Sequence, residues 1–167
     1  SAPMGRPTDD GPEGGAAMSK RVPRSVLTRL RKMPLFSACT KRELRALAVL
    51  GTPVPIGAGQ KITVAGEPGL EWFVVLSGRA NCTVLDREVA TFGPGDFFGE
   101  LSLIDGRTRT ASVIAQTPMQ LLDFDRNEFG RVLEVAPSVV RKILTTVVCR
   151  LREADIVIGR CAEVALR

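Results

Sequence analysis

Residues 95–113 read GDFFGELSLIDGRTRTASV and set a carboxylate, Glu100, nine positions before a guanidinium, Arg109, in an apolar run punctuated by glycine. An unpaired charge buried in such a run is expensive, so both groups need partners. Pro94 and Gly95 end a strand in a turn, and Gly99 permits close approach of backbone to a ligand. ELSLI, residues 100–104, is long enough for one or two helical turns. The first N–H groups of such a helix lack intrahelical partners and attract an anion. Asp105 and Gly106 turn the chain back, and RTRTASVIAQ (107–116) resumes as a strand, which brings Arg109 near the same helix start. One phosphate held by backbone donors and by Arg109 satisfies both. Glu100 would repel that phosphate unless it accepts hydrogen bonds from another part of the ligand, which a sugar hydroxyl supplies. An anion and a hydroxyl held within one short loop describe a ribose phosphate.

Outward from this stretch the chain alternates short β-runs with tight turns. KITVAG (61–66), EWFVVLSG (71–78), RANCTVLD (79–86), REVATFG (87–93), RTASVIAQ (109–116) and MQLLDFD (119–125) are rich in Val, Ile, Thr and aromatics. GAG, GEPG, SG and GPGD separate the first of them. Strands this short and evenly spaced favour a closed barrel or jelly roll over an open sheet. Trp72 is expected in the core or at its rim; of Phe97 and Phe98, one faces the core and the other flanks the ligand.

Helical periods bracket the strands. A short helix is expected over Ser25–Lys32. Thr40 and Glu43 form a capping box that opens a helix to about Val49, with Leu44, Leu47 and Ala48 on one face. RNEFGRVLEVA (126–136) is a further short helix, and Pro137 opens a long one. In it Val140, Leu144, Val147, Leu151, Ala154, Ile158, Cys161 and Ala165 recur at spacings of four and three, a seam that either packs on the barrel or closes a homodimer. The fold class is α+β: a β-jelly-roll barrel of about eight short strands over 51–125, flanked by N-terminal helices within 25–50 and C-terminal helices within 126–167. Residues 1–24, rich in Gly, Pro and charge, are expected to be a disordered tail.

The net charge of +5 is concentrated at the start. Residues 1–32 carry Arg6, Lys20, Arg21, Arg24, Arg29, Arg31 and Lys32 against Asp9, Asp10 and Glu13, and the remainder is nearly neutral. Direct nucleic-acid binding is therefore not expected. No apolar run reaches the length of a membrane span and the N-terminus lacks a signal-peptide core, so a soluble, cytoplasmic chain is expected. Cys39, Cys82, Cys149 and Cys161 form no CxxC pair or zinc spacing and are expected to be buried free thiols. Histidine is absent, which removes the commonest general base and metal ligand; neither an enzyme nor a metal site is expected. A bias to Ala, Arg, Gly and Val hints at a GC-rich bacterial source.

FGELSLIDGRTRTASV (98–113) resembles the phosphate-binding cassette of cyclic nucleotide-binding domains, as found in bacterial cAMP receptor regulators, kinase regulatory subunits and nucleotide-gated channels. The family pattern, F-G-E-x-x-L, a turn, then R-[TSA]-A, is met by Phe98, Gly99, Glu100, Leu103, Arg109, Thr110 and Ala111. MPLF (33–36), GEPGLEWFVVLSGRA (66–80) and FGPGDFFGE (92–100) extend the resemblance over roughly 33–135. It implies that residues 25–167 form one such domain with its cassette at 98–111. It implies further that Glu100 accepts from the ribose 2′-OH, that Arg109 pairs the cyclic phosphate, that backbone N–H groups at Leu101 and Ser102 donate to it, and that Thr110 offers a hydroxyl. The ligand would be cAMP, with cGMP possible. Thr108 stands where many members have proline, and Arg107 adds a second cation. No aromatic residue follows Phe129, so the base cap is aliphatic or an arginine, and Asp155 is a candidate for the base edge. The expected function is a regulatory sensor that signals by re-packing its C-terminal helices. The alternatives are a protein-interaction or dimerisation module that keeps the fold, or the sensor part of a transcription regulator or gated channel.

Overall fold

The structure, a computed structural model, describes residues 24–165; side chains are described to Cys161. The expected tail thus lies outside the described residues, except that Arg24 already begins a helix. The helices are α1 (Arg24–Lys32), α2 (Lys41–Leu50), α3 (Glu100–Asp105), α4 (Arg126–Val135) and α5 (Pro137–Ala165), with a 3-10 turn at Pro34–Phe36. The strands are β1 (Thr52–Ile56), β2 (Lys61–Thr63), β3 (Glu71–Ser77), β4 (Ala80–Val84), β5 (Arg87–Phe92), β6 (Phe97–Phe98), β7 (Ser112–Ala115) and β8 (Met119–Asp125). They form two antiparallel four-stranded sheets, ordered β1-β8-β3-β6 and β2-β7-β4-β5. This is the jelly-roll architecture expected from the strand spacing. Two strands carried no sequence signal: β1 holds Pro53 and Pro55, which a strand tolerates at a sheet edge, and β6 is two residues long.

Two cores result. Between the sheets lie Phe73, Val75, Phe98, Val113 and Leu121. On the outer face of the β1-β8-β3-β6 sheet, Trp72, Val74, Leu122 and Phe124 meet Leu30 of α1, Leu47 of α2, Val132 of α4 and Ile143 of α5. Trp72 is wholly buried, in contact with the rings of Phe97, Phe124 and Phe129. Alternation along β3 sends Trp72 and Val74 to the helices and Phe73 and Val75 to the inter-sheet core.

The capping box at Thr40 forms: the Thr40 N–H donates to Glu43 Oε2 at 2.7 Å, and the Glu43 N–H to Thr40 Oγ1 at 3.2 Å. The same Glu43 carboxylate reaches the start of α5, accepting from Ser138 N (3.0 Å) and Ser138 Oγ (3.2 Å). Burial pushes Glu43 upward, but the hydrogen bonds its carboxylate receives from Ser138 and Thr40 outweigh it and hold its pKa below the ordinary carboxylate value.

The cysteine expectation needs correction. All four are free, but Cys149 and Cys161 are exposed on α5, Cys39 is half-buried and Cys82 alone is buried. Cys149 and Cys161 lie on sides of α5 that meet neither the core nor the cavity. No helix of the described residues is long and apolar enough to cross a membrane, and no group of three or more His, Cys, Asp or Glu among them is placed to hold a metal.

Candidate ligand-binding site

A cavity of about 700 Å³ opens between α3, the β2-β7-β4-β5 sheet and α5. Phe98, Gly99, Glu100, Leu101, Ser102, Arg109, Thr110 and Ala111, singled out from sequence, all line it. Two glycines bound α3. Gly99 takes φ +92° at its start, and Gly106 takes φ +72° at its end, where its N–H donates to the Ser102 carbonyl. Only Gly99 is also sterically required, because a Cβ there would stand 2.6 Å from Arg109 Nη1 and 2.7 Å from the Glu71 carbonyl.

Glu100 and Arg109 are 1% and 6% exposed, yet they are not partners of one another. Arg109 donates through Nη1 to the Gly99 carbonyl (2.9 Å) and through Nη2 to the Glu71 carbonyl (2.8 Å) and Glu71 Oε2 (3.2 Å). Its backbone is fixed as well: its N–H donates to the Glu67 carbonyl, and its own carbonyl accepts from Gly66. Glu100 Oε1 accepts from Arg150 Nη1 at 2.7 Å, while Arg150 Nη2 donates to the Phe97 carbonyl at 2.8 Å. Burial raises the Glu100 pKa; the Arg150 and Arg109 guanidiniums oppose that rise without cancelling it. Burial likewise lowers the Arg109 pKa, with the Glu71 carboxylate opposing.

The rest of the wall is mostly apolar. Val84, Val89 and Ala90 come from β4–β5, and Ala154, Val157 and Ile158 from α5. Phe98 stacks on Phe92 at 5.1 Å between ring centroids and lines the cavity, whereas Phe97 packs under Trp72. Asp155 does not line the cavity; Glu153, two positions earlier on the helix, does. Arg107 is exposed and outside the lining.

Sequence inspection missed Glu71 and Arg150 as partners. The one signal for Arg150 was the need for an aliphatic or arginine cap after Phe129, and nothing marked Glu71. The seam on α5 also divides. Val147 packs on the core and Ala154 and Ile158 line the cavity, but Leu144 and Leu151 are each 60% exposed and touch neither.

Comparison with known proteins identifies the family and the fold. The family model for the cyclic nucleotide-binding domain matches residues 53–135. A cAMP-dependent protein kinase regulatory subunit from Aspergillus fumigatus is 33% identical over 115 residues, 68% of this chain and 28% of that one. The chain therefore spans under a third of that relative's length. Among solved structures, the Thermus thermophilus catabolite activator protein shares 30% identity at a TM-score of 0.70, over 77% of this chain and 63% of that one. PKAR CBD2 bound to Sp-2Cl-cAMPS shares the fold at a TM-score of 0.74 and 24% identity, covering 86% and 95%. With a fungal kinase subunit beside a bacterial activator, the compositional hint of a bacterial source finds no support. On the matched residues and the cassette at 98–111, the chain belongs to the cyclic nucleotide-binding domain family.

Proposed function

We propose that this chain is a regulatory sensor that binds a 3′,5′-cyclic nucleotide, cAMP first and cGMP second, and acts in the cytoplasm without catalysing a reaction. The observation that carries this is the pair Glu100 and Arg109, both buried in one cavity and each held by a side chain from a different element. Arg109 offers a charge-assisted pair to the cyclic phosphate, joined by the N–H groups of Leu101 and Ser102 and the hydroxyl of Thr110. Glu100 accepts from the ribose 2′-OH. Phe98, Gly99 and Ala111 shape the wall, and the apolar faces of β4–β5 and α5 receive the base. The relatives support this choice: one is named for cAMP dependence and a fold neighbour holds a cAMP analogue.

Arg150 gives the ligand a handle on α5. A ribose hydroxyl donating to Glu100 competes with the Arg150 pair, so occupancy shifts the helix between two packings according to their difference in affinity. Titration calorimetry of the chain with cAMP, with cGMP and 5′-AMP alongside, tests the proposal. Saturable binding of cAMP and none of 5′-AMP is expected, with Arg109→Ala weakening it roughly 30- to 150-fold, the equivalent of about 2–3 kcal/mol. An unchanged Kd for Arg109→Ala would sink it.

A second proposal rests on Leu144 and Leu151, both exposed and outside the cavity lining. Spaced by seven, these fit a homodimer closed along α5. Sedimentation of the chain against Leu151→Lys decides it.

A further inference from the structure

The net charge is sorted by layer. Residues 24–50 carry Arg24, Arg29, Arg31, Lys32, Lys41, Arg42 and Arg45, every one exposed. The single carboxylate among them, Glu43, is buried and occupied by Thr40 and Ser138. The barrel, residues 52–125, has the opposite balance, with nine Asp or Glu to five Lys or Arg. Of the seven cations none lines the ligand cavity. The helices that carry them pack on the outer face of the β1-β8-β3-β6 sheet, while the cavity lies over the β2-β7-β4-β5 sheet. In sequence, Lys20 and Arg21 continue the run.

We propose that the outward face of α1 and α2 docks on an anionic lipid bilayer. Clusters of four to eight Lys or Arg on helices bind phosphatidylserine-type surfaces through diffuse attraction. What the face lacks chooses this partner over others. Val49 is its single exposed large apolar residue, so it has no anchor of the kind that carries a protein interface. It exposes no aromatic side chain to stack on bases. The apolar sides of α1 and α2 are spent on the core through Val26, Leu30, Leu44 and Leu47, so the face rests on headgroups rather than inserting. Charge without shape, on the layer away from the cavity, suits a charged plane and leaves the ligand site open.

Co-sedimentation of the full chain, without nucleotide, with vesicles of phosphatidylcholine alone or with about one-third phosphatidylserine tests this. Binding is expected to the anionic vesicles only and to be lost in high salt. Each Lys or Arg near such a surface contributes roughly fivefold, so Lys41→Gln, Arg42→Gln, Arg45→Gln combined should weaken binding about 100-fold. A control reversing exposed barrel cations, Lys61→Glu, Arg79→Glu, Arg87→Glu, should bind nearly as the parent does. No binding to anionic vesicles overturns the proposal, and so does an equal loss in both variants. Tighter binding to a 20-base-pair DNA duplex than to vesicles at the same salt overturns it in favour of nucleic acid. None of these outcomes depends on whether a cyclic nucleotide binds.

Discussion

Arg150 on α5 closes the cassette from fifty positions away, donating to Glu100 at 2.7 Å and to the Phe97 carbonyl at 2.8 Å while its guanidinium lies over the Phe97 ring at 5.1 Å. The long helix is thereby attached to the one buried carboxylate that lines the cavity among the described residues.

Removing that cation leaves Glu100 stranded. A buried pair broken from one side costs about 3–5 kcal/mol. Arg150 is more than one-third exposed, so the expected loss for Arg150→Ala is about 1–3 kcal/mol after screening. Adding Glu100→Gln should return part of it, and urea unfolding of both variants measures the difference. Equal stability of the single and double variants would show that the pair contributes nothing.

Glu71 Oε2 accepts from Arg109 Nη2 at 3.2 Å, so under the proposed function its carboxylate would compete with a phosphate for the same guanidinium. Glu71→Gln keeps the shape and removes the charge. The expected result is cAMP affinity raised roughly three- to tenfold, which calorimetry resolves, with slightly lower stability of the free chain. Weaker binding would mean that Glu71 orients Arg109 for the ligand rather than opposing it.

Glu43 ties the first turn of α2 to the first turn of α5. Its folded pKa is depressed below 4.5, so its contribution is complete above the unfolded value and disappears as pH falls through the folded one. Glu43→Gln should therefore cost about 1–3 kcal/mol at neutral pH, with the gap closing in acid. A gap that stays constant between pH 7 and pH 3 would contradict the ionic account.

Gly99 and Gly106 have left-handed backbones at the two ends of α3, but their surroundings differ. Alanine at either costs about 1–2 kcal/mol of backbone strain. At Gly106 a Cβ meets open space, and cAMP binding should be unchanged. At Gly99 it meets Arg109 and the Glu71 carbonyl, and binding should fall at least tenfold. Thermal melts and calorimetry on the two variants separate strain from displacement.

Local chemistry made much of this protein legible. The capping pair Thr40 and Glu43, Pro137 at the head of α5 and the strands between glycine turns are decided by neighbours within a few positions, where backbone preference is strongest. β1 and β6 escaped because proline-rich and two-residue strands have no local signature; pairing with β8 and β3 makes them strands.

Sequence alone determined that Glu100 and Arg109 share a short loop and that burying them demands partners. Tertiary structure decided which partners: Arg150 for the carboxylate and Glu71 for the guanidinium, fifty and thirty-eight positions away. It also decided that Val147, Ala154 and Ile158 face the barrel side while Leu144 and Leu151 do not. Periodicity marks a helical stripe, but only the packing of α5 against the barrel says which side of it is covered. Charge pairs across long loops follow from where the two sheets and α5 bring the backbone, and no residue reports that about itself.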